Sequence, residues 1–152
     1  MKISARNMLK CKVENLTPGA VNEEVVLKLS NGAKITSIIT KNSALNLNLK
    51  PNDEVFAIIK SSSIMFGLGE LKISARNVLK GKIVSIKKGE VNAEVCLNLG
   101  DGEIITGIIT LNSVKKLDLK VGDEASAIIK SSEVMVGVEQ YTTDLFVNFT
   151  KI

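Results

Sequence analysis

Histidine and tryptophan are absent from this 152-residue chain, and aromatic residues make up only 3% of it. Without histidine the chain lacks the commonest general base and the commonest transition-metal ligand. With so few rings it also lacks the stacking platforms on which single-stranded nucleic acid is usually held. There is no phosphate loop of the Gly-Lys-Ser/Thr kind and no helix-turn-helix or ATPase module, so an enzyme, a regulator and a transporter subunit are all disfavoured. No apolar run reaches membrane-spanning length, which predicts a protein without a membrane partner. The N-terminal residues Lys2, Arg6, Lys10 and Lys12 have no apolar run between them, so no secretory signal is expected and a cytoplasmic location is. Cysteine occurs twice, as Cys11 and Cys96, and the expected state in a reducing compartment is two free thiols.

What is present is aliphatic and repeated. Hydrophobic residues are 45% of the chain, so the core must be built from Ile, Val, Leu and Ala. Ile3-Ser4-Ala5-Arg6-Asn7 returns as Ile73-Ser74-Ala75-Arg76-Asn77, and the offset of about 70 residues holds without a gap from Lys2/Lys72 to Gly67/Gly137. The division predicted is a first module at 1–69, a second at 70–138 and a tail at 139–152, with the tail tending to disorder. Modules this small bury thin cores and are marginal alone, so they should pack on each other or on other chains. Cys11 and Cys96 face Gly81 and Val26 in the repeat, so neither thiol serves chemistry common to both copies. The net charge of +4 permits an anionic partner without naming one.

Each module reads as β-structure. Glu24 to Leu29 and Glu94 to Leu99 alternate, with Val25, Leu27 and Leu29 on one face. Asn31-Gly32 and Asp101-Gly102 are strong hairpin signals, and Ile35 to Thr40 and Ile105 to Thr110 form the return strands. A short helix is predicted next, capped by Asn42 or Ser43 and their counterparts. Turns at Pro51-Asn52-Asp53 and Val121-Gly122-Asp123 lead to strands at 55–60 and 125–130, and final strands at 64–68 and 134–138. Five short strands and one helix per module indicate an OB-like barrel. Leu145 to Phe149 forms either an extra edge strand or part of a disordered end.

Three polar clusters recur. They are Ser4, Arg6 and Asn7; Thr40, Asn42 and Ser43; and Lys60, Ser61 and Ser62. Their copies are Ser74, Arg76 and Asn77; Thr110, Asn112 and Ser113; and Lys130, Ser131 and Ser132. Nearly all are hydrogen-bond donors. The shared carboxylates Glu24/Glu94, Asp53/Asp123 and Glu54/Glu124 are expected to fall outside them. A donor-rich, carboxylate-free pocket suits a fully deprotonated tetrahedral dianion, and charge-assisted bonds from Arg strengthen the grip. Molybdate, tungstate and sulfate all meet this description. Set against this, Ser, Thr and Asn at strand ends commonly do no more than satisfy turns and caps.

These motifs resemble the Mop (molybdopterin-binding-protein-like) domain of the molbindins. They are Ile-Ser-Ala-Arg-Asn, Gly-x-Val-Asn-x-Glu-Val, Ile-Thr-x-Ile-Ile-Thr and Ile-Ile-Lys-Ser-Ser, and the resemblance spans residues 2 to 138 in tandem di-Mop form. It implies an all-β protein of two OB-like five-stranded Greek-key barrels, Mop/TOBE-like, each with one short helix. It implies molybdate or tungstate binding, storage and homeostasis without catalysis and without an organic cofactor. It further implies a homotrimer of six modules with sites at module interfaces. Carried over residue by residue, Ser4, Arg6, Lys60 and Ser61 would line one wall, as would Ser74, Arg76, Lys130 and Ser131. Thr40 and Ser43, or Thr110 and Ser113, would come from a neighbouring module. Gly19-Ala20-Val21-Asn22 and Gly89-Glu90-Val91-Asn92 are weaker candidates for a second site type. Ser63 becomes Glu133 in the second copy, where a carboxylate beside a dianion would repel it unless turned outward. The competing reading is an OB-type nucleic-acid-binding module, which the single Tyr and four Phe argue against.

Overall fold

A computed structural model describes residues 1–139. The tail and the Leu145–Phe149 segment predicted above lie outside the described residues, apart from Glu139.

In the first repeat the strands are β1 (Asn7–Pro18), β2 (Asn22–Leu29), β3 (Lys34–Thr40), β4 (Glu54–Ile59) and β5 (Met65–Gly67). The second repeat supplies β6 (Asn77–Lys88), β7 (Asn92–Asn98), β8 (Ile104–Thr110), β9 (Glu124–Ile129) and β10 (Met135–Gly137). Short helices α1 (Lys41–Asn46) and α2 (Leu111–Leu117) follow β3 and β8. The expected count of five strands and one helix per repeat is met.

The two longest strands, β1 and its copy β6, are missing from the elements read off the sequence. The signal in β1 is nevertheless a clean alternation: Asn7, Leu9, Cys11 and Val13 are buried while Met8, Lys10 and Lys12 are exposed. The hairpin turns form where Asn-Gly and Asp-Gly stand. Gly32 has φ +87°, and Asp101 and Gly102 have φ +53° and +76°, a region that L side chains enter at a cost.

Sheet membership does not follow the repeat. One sheet runs β10-β4-β1-β2-β3 and the other β5-β9-β6-β7-β8. Each repeat therefore hands its last strand to the other: Val136 pairs with Ala57 and Phe66 with Ala127. The boundary at 69/70 separates sequence copies, not sheets. Within one repeat the spatial order 4-1-2-3 is that of a Greek key. Buried residues of both repeats form one continuous core, aliphatic apart from Phe66 and Cys11.

Asn7 and Asn77 stitch the two sheets together. Asn7 Nδ2 donates to Thr106 O at 2.8 Å and to Ile59 O at 3.1 Å, and its Oδ1 accepts from Thr106 N–H at 2.7 Å. Asn77 does the same to Thr36, with both bonds at 2.8 Å. A side-chain amide thus serves as a peptide unit across the gap between strands, which is why a polar residue is tolerated at about 2% exposure.

Candidate oxyanion site

The exchange builds two equivalent clefts. One, of about 270 Å³, is lined by Ile3, Ser4, Ala5, Arg6, Lys60, Ser61, Ser62 and, from the second repeat, Met135. The other, of about 350 Å³, is lined by Ile73, Ser74, Ala75, Arg76, Lys130, Ser131, Ser132 and, from the first repeat, Met65. Four predicted residues meet in each: Ser4, Arg6, Lys60 and Ser61, and Ser74, Arg76, Lys130 and Ser131. The segment leading into β1, bent at Ser4 and Arg6, supplies the first pair. A 3₁₀ turn at Ser61–Ser63, directly after β4, supplies the second. Because Asn7 pairs with Ile59 at the start of the β1–β4 ladder, the two segments leave the sheet side by side. Arg6 and Lys60 are exposed at the rim and Ser61 is buried at the floor.

Thr40 and Ser43 line neither cleft. Thr40 caps α1, correcting the prediction of Asn42 or Ser43. Its Oγ1 accepts from Ser43 N–H at 3.1 Å and donates to Ser43 Oγ at 2.8 Å. Thr110 and Ser113 repeat both bonds at the same distances, so Thr110 and not Asn112 caps α2. The hydroxyls have local work at each helix start, and any ligand they meet must approach from outside this chain's clefts. The weaker candidates at 19–22 lie beside them. Asn22 is opposite Thr40 in the β2–β3 ladder, and Lys41 N–H donates to Val21 O at 2.9 Å.

The expectation of carboxylate-free clusters is overturned. Arg6 Nη2 donates to Glu94 Oε2 at 2.6 Å, and Arg76 lies 3.0 Å from Glu24 Oε2. Each pair joins the two repeats. The hydrogen bond from Arg6, aided by the positive charges of Arg6 and Lys87, holds the Glu94 carboxyl below the usual value of 4.5. Sequence reasoning missed these partners because strand pairing within a repeat says nothing about contacts between repeats. The signal available was that Glu24 and Glu94 recur unchanged on the outer face of β2 and β7.

Glu133 does not line a cleft; its Oε2 accepts from Ser63 Oγ at 3.2 Å, across the repeats. The thiols are free: Cys11 is buried, with burial as the main cause pushing its pKa up to about 11, and Cys96 is half-buried. Among the described residues no group of three or more His, Cys, Asp or Glu is placed to hold a metal ion. None of the described helices is long and apolar enough to cross a membrane.

Duplicated clefts of guanidinium, ammonium and hydroxyl on exchanged five-stranded sheets define a tandem β-module protein with two like sites. The TOBE domain matches residues 3–66 and 73–136, and the chain belongs to that family. It is 42% identical over 140 residues to the molybdenum-pterin-binding protein MopA of Rhodobacter capsulatus, matching 91% of this chain and 53% of that one. It is 44% identical over 139 residues to the molybdenum transport protein ModE of Azotobacter vinelandii, matching 91% of this chain and 52% of that one. The chain thus spans about half the length of these curated relatives. Among solved structures it resembles the cytoplasmic molybdate-binding protein ModG with molybdate bound. The TM-score is 0.88 and the identity 43%, covering 91% of this chain and 100% of that one.

Proposed function

We propose that this chain binds molybdate, or the near-isosteric tungstate, as a reversible store, without catalysis. The observation that carries the reading is the convergence, twice, of Ser, Arg, Lys and Ser on one small cleft. The relatives named above bear names that point to the same ligand. A dianion without a proton needs donors only, and the clefts offer a guanidinium, an ammonium and hydroxyls for it. The clefts open to solvent on one side, so the remaining donors, Thr40 and Ser43 or Thr110 and Ser113, come from a neighbouring copy. A homotrimer of six modules, with units 1–69 and 70–138 from each chain, supplies that neighbour. The setting is the cytoplasm and the ligand is inorganic, with no membrane or nucleic acid involved.

Titration calorimetry with molybdate, tungstate, sulfate and phosphate tests this. Binding is expected for molybdate and tungstate, far tighter than for phosphate, and lost in the R6A/R76A double variant. Equal or absent heats for all four anions would sink the proposal. Native mass spectrometry with and without molybdate counts copies and ligands together, and a monomer that binds fully would remove the trimer. The nucleic-acid reading is not favoured: among the described residues the two aromatics are Phe66, buried in the core, and Phe56, half-buried, so neither offers an open stacking platform.

A further inference from the structure

An anion-binding arginine is an odd place for a carboxylate, yet Glu94 and Glu24 recur at equivalent positions and each reaches the arginine of the opposite repeat. Both arginines are nearly half exposed and both glutamates about a third exposed, so neither pair is a buried structural bridge. Exposed ion pairs add little to stability, so a stability role does not account for the arrangement. The contact falls on Nη2 and leaves the Nε and Nη1 donors of the guanidinium outside this bond.

We propose that Glu94 and Glu24 are positioning residues: each carboxylate holds the opposite repeat's guanidinium over the cleft, so that an incoming oxyanion meets donors already in place. This rests on the oxyanion reading of the clefts and deepens it. An unheld arginine must be ordered when the anion binds, and immobilising one long side chain costs about 0.5–1.5 kcal/mol. That is up to about tenfold in affinity. The same carboxylate also repels the dianion, so a simple deletion mixes two opposite effects. Glutamine and alanine both remove the charge, but only glutamine keeps an acceptor for Arg6. The ratio of the two variants, read together with the arginine motion measured without ligand, reports the positioning bond.

The full chain is made as E24Q/E94Q and as E24A/E94A, and sodium molybdate is titrated into each. The glutamine variant is expected to bind up to about tenfold tighter than the alanine variant. Equal affinities in the two would overturn the proposal while leaving wild-type molybdate binding intact. A wild-type protein that binds no molybdate overturns the oxyanion reading instead. A ligand-free readout keeps the two failures apart: the Arg6 and Arg76 Nε–H resonances should show restricted motion in wild type and E24Q/E94Q, and fast motion in E24A/E94A. Side chains already mobile in wild type would sink the positioning role whatever the titration gives.

Discussion

In the first sheet the residues at one packing position are Ser37 on β3 and Val136 on the incoming β10. In the second they are Gly107 on β8 and Phe66 on the incoming β5. A Cβ on Gly107 would lie 2.5 Å from a Phe66 ring carbon, so the ring needs the glycine. Ser37 is fully buried and donates through Oγ to Val134 O at 2.5 Å, closing the same space with a hydrogen bond. Small-plus-large in one sheet matches medium-plus-medium in the other, as close packing requires. Each incoming strand thus carries a side chain that fits the sheet it joins. If β5 stayed with its own repeat, Phe66 would meet Ser37 in place of Gly107 and overpack. If β10 stayed, Val136 would leave a void against Gly107. These two residue pairs are one place where the near-identical repeats differ in packing.

The comparison can be broken hardest at the stitching asparagines. Asn7→Ala strips partners from three backbone groups and Asn77→Ala from two. With each unsatisfied buried group costing about 1–3 kcal/mol, N7A is expected to lose about 3 kcal/mol or more, and N77A less. Urea unfolding of the two variants checks the order. Gly107→Ala is next, at about 1–3 kcal/mol from overpacking, and adding Phe66→Val should recover much of it. An uncoupled pair in that double-mutant cycle would refute this account of the packing. Ser37→Ala, which removes one buried hydrogen bond without a clash, should cost about 1 kcal/mol.

The thiols give a gentler contrast. Half-buried Cys96 should react with a thiol reagent well before buried Cys11, which must wait for local opening. Cys11 ionises in the unfolded chain near 9.0 but is pushed up to about 11 in the fold. The unfolded state therefore sheds its proton first, and stability should fall as pH rises from 9 toward 11. Cys11→Ala removes that alkaline loss. The smallest effect is at the acid end. The Glu94 carboxyl is held below 4.5, so its contribution is present above that pH and fades as pH falls through the lowered value. Glu94→Gln should flatten this part of the pH profile of the melting temperature, while the rest of the profile keeps its shape.

Much of this was legible in the chain. Alternation places β2, β3, β7 and β8, and turn residues place their hairpins, because a strand's face and a turn's backbone are local matters. The residues alone gave Ser4 with Arg6 and Lys60 with Ser61 as separate clusters at strand ends; the family resemblance put them on one wall, and the β1–β4 pairing that brings them together needed the placement of β1. The cap at Thr40 was misplaced because Thr, Asn and Ser all cap well, and only the helix's actual start at Lys41 selects among them. Asn7 reads from sequence as a candidate for a ligand cluster, but its amide is consumed by the backbone of the other repeat.

The duplication, the all-β character, the largely aliphatic core and the donors on offer are all readable along the chain, because composition and short-range periodicity carry that information. Packing in three dimensions sets which sheet each last strand joins, and that Glu94 and Glu24 reach Arg6 and Arg76. It also decided that Asn7 and Asn77 bind the sheets together. Those contacts link residues tens of positions apart in two copies of nearly the same text. A period-two pattern names the face of a strand, and packing volume in three dimensions names its partner.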